Sequence, residues 1–380
     1  MKKLILTLII IHLSLIIVNA QSGWVKTDFG NRILTGVSFV NINTGYILSS
    51  DSLFKTTNGG LNWSGKSTGS GHLAFLKVFD EYNIVIMGVI GVNSENGLIR
   101  KTSDGGNTWN DKYFFTNHLS LFTQDMEWLN VNTGFTSWVD LDVSDYFGRI
   151  FKTSNGGLNW NEININGLGY FIALKYQNAD SIYGLTNLTL MKSTNQGNNW
   201  FTASNLGTGY RTTFSCPGFD TMFIGGKQIY HSVNKGLDFD TTFTLDTPYT
   251  VRDFEFINAK TGFAIGSSKN YGVFKGGYIV KTTNAGVNWT RQTTNTNKYL
   301  NDIFFLNKDT GWVVGDSGLI LKTTTGGTTF ISPVSTEIPA KYSLSQNYPN
   351  PFNPVTKIRF DIAPLSRDLM FKMVSLEFIL

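Results

Sequence analysis

The sequence predicts an all-β chain, a seven-bladed β-propeller of four-stranded blades, on three observations. A nine-residue segment recurs seven times, a Thr-Gly-aromatic half-repeat precedes several of the copies, and the composition suits short strands joined by tight turns. Six or eight blades are the alternative counts, and an incomplete immunoglobulin-like segment follows the ring.

The first copy is Lys55 to Trp63, and it returns at Lys101 to Trp109, Lys152 to Trp160, Lys192 to Trp200 and Lys281 to Trp289. Two degenerate copies, His231 to Phe239 and Lys322 to Phe330, complete the set. The pattern is [ST]-x-[ND]-x-G-x-x-[WF]. It places Asn58, Asp104, Asn155, Asn195, Asn234 and Asn284 at the polar position. Gly60, Gly106, Gly157, Gly197, Gly236, Gly286 and Gly327 follow in register. Trp63, Trp109, Trp160, Trp200, Phe239, Trp289 and Phe330 close each copy. A spacing of about 44 residues is the period of four-stranded propeller blades.

Ahead of the repeated segment, a strand ends in Asn and a Thr-Gly turn opens an aromatic strand. Asn41 with Thr44-Gly45-Tyr46 is one case; the others are Asn130 with Gly134-Phe135, Asn258 with Gly262-Phe263 and Asn307 with Gly311-Trp312. Blades two, four and five lose the Thr-Gly signature. The alternation fits strand periodicity. One such sheet cannot bury both faces, so blades must stack around an axis. Trp24 to Thr27 resembles an isolated fourth strand and is expected to complete the last blade.

Aromatic residues make up 14% and charged residues 15%, with 39 Gly against 8 Pro, the reverse of a disordered composition. A net charge of +4 without a basic run excludes a nucleic-acid partner. Met1-Lys2-Lys3, the apolar run Leu4 to Val18 and Ala20 read as a signal peptide over residues 1–20. An exported chain starting near Gln21 has only Cys216, so it must hold itself by core burial, with that cysteine a small buried apolar residue.

The repeated turn specifies folding. Its Asn or Asp accepts backbone N–H groups, Gly takes the left-handed conformation, and the terminal aromatic covers the turn. Only Asp104 is acidic at the polar position, too little for calcium. His72 and His118 make no zinc site, and no metal or cofactor is expected.

At these residues, over about 24–333, the chain resembles the Asp-box or BNR-repeat propellers, whose turn is shared by sialidases, sortilin-type receptors and xyloglucan-degrading enzymes. The half-repeat is more similar to the photosystem II stability and assembly factor propellers. A second resemblance begins at Tyr342. Asn347, Pro349, Asn350, Pro351, Phe352, Asn353 and Pro354 look like the opening of a type IX secretion C-terminal sorting domain. That domain is an immunoglobulin-like sandwich of about seven strands. The expected organisation is a propeller over 21–333, a linker over 334–341 and a partial sorting domain over 342–380. No later strand is expected after Arg367. The resemblance implies contact with the type IX machinery through the tail, and a protein secreted or held at the outer-membrane surface. A truncated tail would leave it in the periplasm.

Irregular loops carried by rigid scaffolds are where binding residues gather. On the face opposite the repeated turns, the expected loops are 91–97, 115–124, 139–148, 245–249 and 268–277. Asp140, Asp142, Asp145, Tyr146 and Phe147 form one candidate set; Lys269, Tyr271, Phe274 and Lys275 form another. The reading is a monomeric, non-catalytic propeller that binds a protein or glycan on this face. The alternative is a glycoside hydrolase using Asp140 and Asp142. The arginines are scattered, and the early Arg-Ile-Pro-like element of a sialidase is missing.

Overall fold

A computed structural model describes residues 21–330 except 70, 91–94, 119–120, 141–146, 166, 245–248 and 269–275, and three strands beyond residue 342. The chain divides into two compact units, Ser22–Thr328 and Met1–Gln21 with Thr329–Leu380. The first is a seven-bladed propeller of four-stranded antiparallel sheets. Six blades are built from consecutive strands, at 34–67, 72–118, 121–163, 173–205, 211–244 and 249–292. In the seventh, the strand Gln21–Asp28 lies beside Leu319–Phe330, so the two ends of the ring share one sheet.

That closure bears out the expected role of Trp24 to Thr27. Leu319–Phe330 is one continuous 12-residue strand, so Phe330 opens no fourth strand. Trp24 does the work instead: a Cβ on Gly327 would lie 2.6 Å from its indole nitrogen, as one on Gly60 would lie 3.4 Å from the ring of Trp63. Trp24 is buried among Phe263, Phe305 and Leu321, edge-on to Phe305 at 5.8 Å.

The two half-motifs fold as one unit. In blade one the Thr56 hydroxyl accepts from Gly60 N at 3.0 Å, and Asn58 Oδ1 accepts from Asn62 N at 2.9 Å. The same bonds recur at Thr282, where the hydroxyl accepts from Gly286 N at 2.9 Å and Asn284 Oδ1 from Asn288 N at 3.0 Å. The second turn residue then donates to the turn between strands one and two. Gly59 N reaches Asn43 O at 2.8 Å, and Gln196 N reaches Asp180 O at 2.9 Å. Both turns therefore lie on one face and brace each other in every blade. Blades two and four keep the device without Thr-Gly, because Asp80 and Asn178 accept the same pair of backbone N–H groups.

The Thr-Gly glycine has a steric cause. A Cβ on Gly45 would stand 2.4 Å from Phe39, and one on Gly262 would stand 2.3 Å from Phe256, because the inner-strand aromatic lies across the glycine. In blades three, six and seven the lysine opening the repeat joins neighbouring blades. Lys322 donates to Gly59 O at 2.7 Å and Lys281 to Gly326 O at 2.8 Å, each over the aromatic ring that follows the glycine. In blade five His231 replaces it and stacks on Phe223 at 4.7 Å.

Beyond the ring, Ser343–Leu344, Lys357–Asp361 and Leu376–Ile379 form a three-stranded antiparallel sheet. The last strand corrects the expectation that none follows Arg367; Leu376 to Ile379 is a strand-forming run pairing with Lys357–Asp361. The signal peptide, Tyr342 and the Asn-Pro motif from Asn347 to Pro354 lie outside the described residues.

Candidate functional site

The inner strands of all seven blades line a central channel of about 1100 Å³. Their sequences differ where the turns agree. One register position, directly after a β-bulge in most blades, holds Asp125, Asp253 and Asp302 in blades three, six and seven. Blades one, two, four and five place Gly36, Phe75, Ala173 and Thr213 there. A bulge re-aims the side chain beside it. Two residues further on stand Glu127, Glu255, Lys77 and Lys175. With Asp316 and Arg252 added, six carboxyl groups and three cations among the described residues line the channel.

Several carboxyls also join blades. Asp125 Oδ2 accepts from Leu174 N at 2.7 Å, Asp302 Oδ2 from Val37 N at 2.7 Å, and Glu255 Oε1 from Phe305 N at 3.2 Å. Each bond satisfies a backbone donor on the next inner strand, whose edge faces the channel. Lys175 lies 3.2 Å from Glu127 and 3.9 Å from Asp125, with 31% of its side chain exposed. Burial opposes its charge, but Asp125, Glu127 and Asp253 outweigh burial and raise its pKa. Burial also pushes the carboxyls up: Asp253 to about 6, Glu255 to about 8, Asp302 well above the usual range, and Asp125 in the same direction. The chemistry on offer is a polar, proton-holding cavity, in which an incoming cation can displace protons from Glu255 and its neighbours.

Cys216 is held by the same wall. Burial pushes its thiol up to about 12, and Sγ donates to Tyr176 O at 3.4 Å, the behaviour of a packed residue rather than a nucleophile.

The loop candidates fare differently. Asp140 ends a strand, Gly134–Asp140, pairs with Phe147 and is 2% exposed. It is therefore no loop-tip carboxylate, because apolar alternation through Trp138 and Val139 carries the strand up to it. Phe147 begins the partner strand. Likewise Asn110–His118 and Leu121–Trp128 occupy most of the expected loop 115–124. Asp142, Asp145, Tyr146, Lys269, Tyr271, Phe274 and Lys275 lie outside the described residues. The channel acids were missed, although Gln124-Asp125-Met126-Glu127 and Arg252-Asp253-Phe254-Glu255 repeat a pattern that blade seven half keeps at Asn301-Asp302.

Fold and channel define a repeat propeller with a polar centre. Residues 231–344 match the family described as photosynthesis system II assembly factor YCF48. No curated protein is similar to the chain in sequence. Among solved structures, YCF48 bound to D1 peptide is similar at 14% identity and TM-score 0.60, over 80% of this chain and 95% of that one. YCF48 from Cyanidioschyzon merolae is similar at 16% identity and TM-score 0.60, over 79% and 98%. The GH74 xyloglucanase from Xanthomonas campestris gives 11% identity and TM-score 0.61, over 82% of this chain and 55% of that one. At these identities the likeness is one of fold.

Proposed function

We propose that this chain is an exported, non-catalytic binding propeller whose ligand is a polypeptide segment presenting a cationic side chain to the central channel. The observation that carries the reading is the excess of channel carboxyls over cations, at a place reached by all seven blades. A cavity of this size suits a short segment rather than a whole domain. The solved YCF48 complex with D1 peptide supports a peptide ligand for a propeller of this fold. The apolar N-terminal run and the Asn-Pro motif support export through a signal peptide and the type IX route.

Glycoside hydrolysis is the second reading, favoured by the carboxyl cluster and the fold shared with a xyloglucanase. Panels of basic peptides, acidic peptides and oligosaccharides, each assayed for binding and turnover, separate the readings. Selective retention of basic peptides is the expected result. Oligosaccharide turnover lost in Asp253→Asn would establish the hydrolase instead.

A further inference from the structure

Blades three and six carry the same acids in the same register. Asp125 pairs with Ser137 and Asp253 with Ile265, each directly after a bulge, and Glu127 and Glu255 stand two residues further on. Their bonds match as well. Asp125 Oδ1 accepts from Met126 N and Asp253 Oδ1 from Phe254 N, both at 2.8 Å. Glu127 Oε1 accepts from Tyr176 N of the next blade at 3.3 Å, and Glu255 Oε1 from Phe305 N at 3.2 Å.

What faces these acids differs. Blade four sends Lys175 across the first seam, where its ammonium lies 3.2 Å from Glu127 Oε2 and 3.9 Å from Asp125. At that register blade seven has Phe304, which pairs with Trp312 as Lys175 pairs with Tyr183. It also has Asp302 where blade four has Ala173. The second seam therefore carries three carboxyls and no lysine. Among the described residues none makes an ion pair with Asp253, Glu255 or Asp302, the channel cations Lys77 and Arg252 included.

We propose that the seam of blades six and seven is the subsite for a lysine side chain of the ligand. Its ammonium takes, among Asp253, Glu255 and Asp302, the place that Lys175 takes between Asp125 and Glu127. The assignment rests on the channel being the peptide site proposed above, and it names the residue recognised there. Each of the three carboxyls gives one oxygen to a backbone donor and keeps the other, since Asp302 Oδ2 accepts from Val37 N at 2.7 Å. Glu127 is used in this way, with Oε1 on backbone and Oε2 on Lys175. Single oxygens from three carboxyls suit the three donors of an ammonium, whereas a guanidinium fork is matched by both oxygens of one carboxylate. The ring of Phe304, which lines the channel, offers an apolar wall to the alkyl stem.

The test is calorimetric binding to the mature chain, at about pH 8, of end-blocked peptides that differ at one position: lysine, arginine or norleucine. Phe304→Lys supplies the seam with a tethered ammonium at the register of Lys175, and Phe304→Met is its uncharged counterpart. The lysine peptide should bind at least about tenfold tighter than the other two and lose at least about tenfold in Phe304→Lys and in Asp302→Asn. In Phe304→Met its affinity should stay within about threefold of wild type. Asp302→Asn keeps an oxygen for Val37 N, so it reads the charge even where Phe304→Lys does not fold. Lysine and arginine peptides bound alike, or full affinity in either folded variant, would overturn the subsite and leave the channel as the peptide site. A peptide whose only ammonium is its N-terminus, bound as tightly as the lysine peptide, would overturn the side-chain assignment. Failure of wild type to bind any basic peptide would overturn the peptide reading itself and the subsite with it.

Discussion

The repeated turns and the inner strands belong to the same blades and have diverged in opposite ways. From blade to blade the turns use the same hydroxyl, the same positive-φ residue and the same bond to the neighbouring turn. The inner strands, bulged in every blade but the fourth, present Gly, Phe, Asp, Ala or Thr at one register position. The difference teaches where to look: repetition marks what the ring needs in order to fold, and its breakdown marks where the proposed ligand would be told apart.

The largest expected effect breaks the folding side. Trp24→Ala removes the plug of the closing blade and should cost about 3–5 kcal/mol in denaturant unfolding, as for other large-to-small core changes. An equal loss of stability from truncating an exposed turn residue such as Leu61 would contradict the closure. Next in size, Thr282→Ala strands the turn's backbone donors and should cost about 1–3 kcal/mol while leaving ligand affinity unchanged.

On the binding side, affinity for a basic peptide should rise with pH as Glu255, pushed up to about 8, ionises. Folding raises that carboxyl, so its contribution to stability is present below the unfolded pKa and lost as pH rises through about 8. Ring stability therefore falls over the same range, and the opposite slopes separate the two regions in one titration series. The smallest effect lies in acid. Hydrogen bonds from Thr108 and Thr102 hold Asp104 well below the usual carboxylate range. Its contribution is present above the unfolded pKa and lost as pH falls through the folded value, so Asp104→Asn should flatten the acid limb of the stability profile.

The ring was legible in the sequence because every blade repeats its turn chemistry, and even the closing role of Trp24 shows in its likeness to Trp289. Channel acids are harder to read. Asp125, Asp253 and Asp302 sit in strands that otherwise look like core, and only alignment of the blades brings them to one register. Asp140 misled for the converse reason: aspartates crowd after it, and the strand that buries it ends where they begin.

Calorimetric titration of a basic peptide at about pH 8, into wild type and a Glu127→Gln/Glu255→Gln double variant, tests the central claim most directly. Both glutamines keep an oxygen for the backbone donors of Tyr176 and Phe305. The account predicts binding at least about tenfold weaker in the double variant, with fewer protons released. Equal affinity and equal proton release in the two proteins would place the ligand somewhere other than the channel.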